Sequence, residues 1–315
     1  MNTVDLRHAP AERWRLSEIE LGQARELMTT YGKDLGLAPH VSEMLGSAAE
    51  GFIRPDHWQE LAALASATDI PLSAVVVGNL YYDLFKVVLH RTFGCTAFTV
   101  ETDQGILHAR NLDWWTENAM LAKYSTVTRF IGAPAGEFTT VGWPGFIGAF
   151  SGVAQGRFAV TLNAVLSLEP PQMATPVVFL LRTVLEEARS YGDALQLLCE
   201  TPIPCDCLLL LSGTRPGEMV VIERTPSRHA VRKAVDGFIA VTNGYLLLET
   251  DGGSAPGTLK GTSCGRFDRV AALVQGGRPK DPLECLRYLS DPDVRMDMTV
   301  QQMVFRASTG DHWLG

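Results

Sequence analysis

Cysteine is scarce: six in 315 residues, too few for a disulfide framework. There is no Asn-x-Ser/Thr glycosylation acceptor, and residues 1–8 show no cationic segment followed by an apolar one, so a cytosolic, reduced protein is expected. Long hydrophobic runs are also missing. The longest, residues 70–89, contains Pro71, Asn79, Asp83 and Lys86, which argues against a membrane span. Positive charge is in deficit, with 27 Lys and Arg against 35 Asp and Glu, and the cations are scattered. That excludes the basic stripe of a nucleic-acid-binding protein. Phosphate-loop and Gly-x-Ser-x-Gly patterns are absent, and Gly148-Ala-Phe-Ser-Gly152 lacks strand–elbow–helix spacing. His40, His57 and His90 have no metal-ligand spacing, and Cys205-Asp-Cys207 has no second pair at zinc spacing. Neither a metal nor an organic cofactor is called for.

What is present is an ordinary globular composition, 46% hydrophobic and 20% charged, around one informative stretch. Residues 93–115 read Phe-Gly-Cys-Thr-Ala-Phe-Thr-Val-Glu-Thr-Asp-Gln-Gly-Ile-Leu-His-Ala-Arg-Asn-Leu-Asp-Trp-Trp. The β-branched and aromatic run from Cys95, the Thr102-Asp-Gln-Gly105 turn and the return from Ile106 predict a hairpin. If Thr102 and Gly105 close the turn, Cys95 faces Leu112, and Arg110 faces Ala97 on the same side as Cys95. Asp113 lies one step further, so the strand must end or bulge for it to turn inward. A thiol, a guanidinium and a carboxylate then gather at one end of the hairpin. On these residues alone, a catalytic cluster and a buried cysteine beside an Arg–Asp pair stand level.

Residues 16–90 read as helical, with starts near Leu16, at Pro55 and over 72–89. Strands follow over 124–130, 138–141 and 157–163, then helices over 175–189 and 190–198, with Thr175 as the expected cap of the first. Four strands lie near 208–211, 218–223, 230–233 and 238–241. A small, polar loop over 254–261, helices through Arg266 and over 282–289, and a last hairpin complete the chain. This order predicts an α+β fold of two packed sheets covered by helices on both sides, and not strict βαβ alternation. Trp114, Trp115, Trp143 and Phe146 are candidates for lining an apolar substrate cleft, with plain core as the alternative.

At Gly94-Cys95-Thr96, Gly105 and Ala109-Arg-Asn-Leu-Asp113, the sequence resembles the N-terminal-nucleophile hydrolases. It is most similar to the acid ceramidase and N-acylethanolamine acid amidase group of the choloylglycine hydrolase superfamily. Asn79-Leu-Tyr-Tyr-Asp83 is similar to the helix that precedes the nucleophile there. Val241-Thr-Asn243 resembles the strand-end asparagine, and Ser263-Cys-Gly-Arg-Phe-Asp-Arg269 the late arginine segment, placing its arginine at Arg266. Asn163 sits where bile-salt-hydrolase-like members carry an oxyanion asparagine. The hairpin is one residue shorter than usual, which implies a tighter turn.

The resemblance implies a four-layer αββα sandwich behind a helical N-terminal segment. It implies self-cleavage at Gly94–Cys95 into fragments 1–94 and 95–315, with Cys95 as N-terminal nucleophile. Gly94 would allow the unusual backbone geometry of that step. Arg110 would stabilise the thiolate, Asp113 orient the new amine, Asn243 and Asn163 hold the oxyanion, and Arg266 support Asp113 or the site's charge balance. The substrate would be a small-molecule acyl amide, fatty-acyl or N-acyl amine. An acyltransferase or a penicillin- or bile-salt-type acylase is the nearest alternative, and an uncleaved ligand-binding protein the alternative of another class. The oligomeric state stays open.

Overall fold

The computed structural model describes residues 1–89, 94–114, 119–248 and 259–315. Trp115, His90 and residues 254–258 of the expected polar loop therefore lie outside the described residues. The chain opens with a short strand β1 (Asn2–Asp5). A Ser17–Glu20 capping box then starts α1 (Glu18–Leu35), and Gly36 ends it in the left-handed conformation at φ 61°. Helices α2 (Pro39–Ala49) and α3 (Pro55–Thr68) each begin on a proline. The single helix expected over 72–89 is two, α4 (Leu72–Asn79) and α5 (Tyr81–Leu89), parted at Leu80. Asn79 ties that break to the far loop: its Nδ2 donates to Gly145 O and its Oδ1 accepts from Ile147 N.

Next come β2 (Gly94–Thr102) and β3 (Gly105–Asp113), then α6 (Met120–Lys123), β4 (Thr126–Ile131), β5 (Phe138–Gly142), β6 (Ser151–Ala154) and β7 (Phe158–Asn163). Helices α7 (Val177–Glu187) and α8 (Tyr191–Glu200) lead into β8 (Cys207–Ser212), β9 (Met219–Arg224), β10 (His229–Lys233) and β11 (Phe238–Val241). The chain ends with α9 (Leu259–Gly276), α10 (Pro282–Leu289), β12 (Thr299–Arg306) and β13 (Asp311–Leu314). Residues 259–261, expected in the loop, already belong to α9.

Two sheets result. The larger runs β1-β4-β5-β6-β7-β8-β9-β10 and the smaller β11-β2-β3-β12-β13. Helices α7 and α8 pack on the larger sheet, and α9 and α10 on the smaller. This is the expected αββα arrangement. Alternation along β2 and β3 divides the hairpin cleanly. Ala97 and Ile106 meet Leu208, Leu210 and Val221 between the sheets. Phe98, Val100, Leu107 and Ala109 meet Val270, Val274 and Leu289 under the helices. Burying each such large side chain contributes about 1.5–3 kcal/mol.

The N-terminal segment is held to the rest by more than apolar contact. Strand β1 pairs in parallel with β4, an edge strand supplied from more than a hundred residues away. Glu60, Arg182 and His57 are fully buried, and Glu186 nearly so. Arg182 Nε donates to Glu186 Oε1 at 2.5 Å, and Arg13 Nη1 to Glu60 Oε1 at 2.7 Å, with Arg182 and Glu60 in ion-pair contact. Helix α7 is not capped by Thr175. Its N-cap is Pro176, and Asp83 of α5 accepts from Val177 N at 3.0 Å in the missing cap's place.

Candidate active site

The hairpin register is the one expected: Cys95 pairs with Leu112, Ala97 with Arg110, and Thr102 with Gly105. Thr102 Oγ1 receives Gln104 N and donates to Gly105 O, closing a tight two-residue turn. Gly105 takes φ 105°, which favours glycine.

Cys95 is buried on the inter-sheet side of β2. Its Sγ lies 3.9 Å from Leu162 O and receives Arg110 Nη2 at 3.5 Å. Arg110 is itself fully buried. It also donates from Nη2 to Leu162 O at 2.6 Å, and from Nη1 to Phe150 O at 2.8 Å and to Ser151 Oγ. No ion pair among the described residues includes Arg110. A buried cation whose hydrogen bonds among the described residues go to neutral acceptors and to the thiol sets positive charge against the sulfur that becomes negative on ionisation.

Behind the thiol, the Cys95 amide N donates to Asn243 Oδ1 at 3.0 Å. Arg266 Nη2 reaches the same oxygen at 2.7 Å, while its Nη1 donates to Cys95 O at 2.6 Å and Thr96 Oγ1 at 2.7 Å. Two donors on Oδ1 fix the orientation of that amide, so Nδ2 points to Ala164 O at 2.8 Å. Ser263 Oγ accepts from Asn243 N and so holds the loop after β11.

Asp113 does not turn inward by ending or bulging its strand. It pairs with Gly94, and the register shift lies in the neighbouring β12, between Thr299 and Gln301. Its side chain is on the helix-facing side, opposite to that of Cys95. There Oδ1 accepts from Thr299 Oγ1 at 2.5 Å, and Oδ2 stands 3.8 Å from Arg266 Nη1 with no hydrogen-bond partner. Burial pushes this carboxyl up, against the Thr299 hydrogen bond and the charges of Arg266 and Arg110. Gly94 is required by space. A Cβ there would lie 2.8 Å from Asp113 Cβ and from Met296 Sδ, and 3.1 Å from Asp113 Oδ2, while its φ is not positive. Close approach to Asp113 by itself calls for glycine here.

Two groups of expected residues have other partners. Asn163 follows Leu162, whose O lies 3.9 Å from Cys95 Sγ, but among the described residues its Nδ2 donates to Val241 O at 3.2 Å and Thr242 O at 3.0 Å and not to the site. It acts as a strut between the ends of β7 and β11. Trp114, Trp143 and Phe146 form a closed aromatic core with Tyr31, Tyr81 and Phe150, and not an open cleft. Trp114 lies edge-on to Trp143 at 5.8 Å and to Phe150 at 5.4 Å. Asp56, His57 and Glu186 bring donor atoms within 4.8 Å of one another, but Arg54 and Arg182 already pair with those carboxylates. They belong to the ion network that joins α3 to α7. Thr299 and Ser151 were not foreseen, since each meets its partner across strands distant in sequence.

The sequence model of the family described as acyl-coenzyme A:6-aminopenicillanic acid acyl-transferase matches residues 100–302. The chain belongs to that family. The match takes in Arg110, Asp113, Asn243 and Arg266 and begins just after Cys95. Among curated relatives of this acyl-transferase family member, human acid ceramidase is 25% identical over 254 residues and the Bos taurus protein 26%. Both alignments cover 70% of this chain but only 62% of the relative. Among solved structures, a Caenorhabditis elegans N-acylethanolamine-hydrolyzing acid amidase ortholog is similar with a TM-score of 0.58 at 21% identity, covering 70% of this chain and 99% of that one. A mutant conjugated bile acid hydrolase from Clostridium perfringens gives 0.51 at 14% identity, covering 70% and 88%. The fold is thus the N-terminal-nucleophile hydrolase sandwich.

Proposed function

We propose that the chain is a cysteine amidohydrolase that cuts itself between Gly94 and Cys95. The new N-terminal Cys95 then hydrolyses a linear amide, N-acylethanolamine- or ceramide-like. The observation that carries this reading is the buried Arg110 guanidinium, in no ion pair among the described residues, donating to Cys95 Sγ. The names of the relatives, acid ceramidase and N-acylethanolamine-hydrolyzing acid amidase, support the substrate class.

In self-cleavage the thiolate bonds to the Gly94 carbonyl carbon, and the Gly94–Cys95 C–N bond breaks. The nitrogen takes up a proton and becomes the α-amine. Water hydrolyses the thioester, leaving a Gly94 carboxylate, a free thiol and the fragments 1–94 and 95–315. In turnover the amine, with a pKa of about 7.7–8.0, accepts the thiol proton and returns it to the leaving nitrogen. Asn243 Oδ1 already holds that nitrogen, and Asp113 Oδ2 is an unused acceptor beside the glycine that departs. Asn243 Nδ2 is the donor for the oxyanion, a role whose loss typically lowers the rate about 10²–10³-fold.

Denaturing mass spectrometry tests the reading directly. Purified protein should give two fragments, and Cys95→Ala a single intact chain with no turnover of acyl amides. A wild-type chain that stays whole across pH refutes the reading in favour of ligand binding. The family description favours a second reading, acyl transfer, in which an amine and not water resolves the substrate thioester. Turnover that depends on an added amine acceptor would select it.

A further inference from the structure

The candidate oxyanion donor, Asn243, sits on a chain segment held by a carboxylate that the proposed chemistry does not use. Glu223 lies near the end of β9, on the face that Met219 and Val221 turn between the two sheets. It is fully buried. Its carboxylate receives three consecutive backbone amides: Leu246 N on Oε1, and Leu247 N and Leu248 N on Oε2, each at 2.9 Å. The next residue of β9 adds a fourth hold, since Tyr245 Oη donates to Arg224 O at 2.7 Å. The one ion pair of Glu223 among the described residues is with Arg232, whose Nε stands 3.9 Å from Oε1.

A buried carboxylate is tolerated only where charge-assisted hydrogen bonds replace its water, and these three all go to one short segment. Apolar packing does little for that segment, because Leu246 and Leu247 are 57% and 50% exposed. Three residues upstream is Asn243. On its other flank Ser263 Oγ of α9 accepts from Asn243 N and shares a hydrogen bond with Thr242 Oγ1. Asn243 is thus bracketed by α9 before it and by β9 after it. Its side chain spans Cys95 N and Ala164 O, and the bond to Ala164 O sets the plane of the amide. That alignment matters, since a misplacement of about 1 Å in a catalytic group can cost about 10²-fold in rate.

We propose that Glu223 is a positioning residue for Asn243, holding the chain after it so that Nδ2 meets the oxyanion. The inference rests on the amidohydrolase reading, in which Asn243 has that role. Among the described residues, no hydrogen-bond or ion-pair partner of the Glu223 side chain belongs to the site, so Glu223 acts through the backbone of residues 244–246. Loosening this hold weakens an interaction made in the transition state and leaves substrate binding as it was.

Two measurements test this. In the full Cys95→Ala chain, hydrogen exchange at residues 246–248 reads the anchor without any turnover. Glu223→Gln keeps the shape but sets an amide NH2 against a backbone N–H. It should speed exchange there about 10-fold or more and leave β2 and β3 unchanged. In otherwise wild-type protein, rates are counted per processed Cys95, measured by mass spectrometry. There Glu223→Gln should lower kcat on N-acylethanolamines about 10-fold or more, with KM held within about twofold. Glu223→Asp guards against misfolding, since it keeps the buried charge and draws it back by one methylene. It should lower kcat less than Glu223→Gln, again at constant KM. Unchanged exchange at 246–248, an unchanged kcat in both variants, or a loss that appears as a rise in KM would overturn the proposal. A wild-type protein with neither fragments nor turnover would sink the amidohydrolase reading instead, and the exchange measurement would still decide whether Glu223 holds the segment.

Discussion

Asp83 makes a quantitative prediction about stability. Its carboxyl is raised from 3.8 to about 6, with burial as the largest cause, opposed by Val177 N, the Cys205 thiol and the charge of Lys86. A folded value above the unfolded one means that the neutral acid is favoured in the folded state. The stability this contributes is complete below pH 3.8 and is lost as pH rises through about 6. The full shift corresponds to about 3 kcal/mol. Asn at position 83 keeps an oxygen to cap α7 and has nothing to ionise. Relative to its parent, Asp83→Asn should therefore gain up to about 3 kcal/mol between pH 4 and pH 8. The comparison is made in the Cys95→Ala background, so that both proteins are single chains, by urea unfolding at a series of pH values. Lys86 and the Cys205 and Cys207 thiols are present in both proteins, and the difference reads Asp83 together with its coupling to them. A stability difference that stays flat across that range would refute the burial argument.

Thr299→Val removes the only side-chain hydrogen bond of Asp113 among the described residues. It should raise the Asp113 carboxyl further and shift the acid limb of the kcat/KM profile upward, read by pH–rate measurement on the processed protein. Gly94→Ala places a Cβ against Asp113 and Met296 and should slow fragment formation, followed by gel densitometry, with Met296→Ala partly restoring it. Asn163→Ala leaves Val241 O and Thr242 O without their donor and should lower stability by about 1–3 kcal/mol in thermal or urea unfolding. Asn243→Ala should instead lower kcat about 10²–10³-fold.

How much of this was legible in the sequence depends on the range over which each feature is determined. The β2–β3 register follows from a turn and a two-residue period, both local, and every predicted pair is found. The αββα layering followed from the order of helical and extended segments. Strand β1 escaped because its partner is β4, and a four-residue stretch carries no periodicity of its own. Strand β6 escaped because Ser151-Gly-Val-Ala reads as a turn. Gly152 is there because a Cβ would lie 2.5 Å from Leu185 of α7, a packing demand that the local sequence does not display. Helix α2 is short and mostly small and polar. In the site, Cys95 and Arg110 share a face by simple alternation. The contacts of Asp113 with Thr299 and of Arg266 with Cys95 O and Asn243 Oδ1 join segments far apart in the chain. Composition cannot separate aromatic rings that line a cleft from rings that fill a core. Trp114, Trp143 and Phe146 look alike in either role until the N-terminal helices are placed over them.

The edge strand β1 and the Glu60–Arg182 contact have a consequence for the thermodynamics of the processed molecule. Before the cut, folding is a reaction of one chain, and its equilibrium does not depend on dilution. After the proposed cut, the piece that carries β1 and Glu60 would be a separate molecule, and the piece that carries β4 and Arg182 its receptor. Melting then becomes a dissociation, so the midpoint falls as the protein is diluted, by an amount set by mass action. Self-cleavage would thus convert an intramolecular fold into a complex of two complementary peptides, matured once and not easily rebuilt from its unfolded parts.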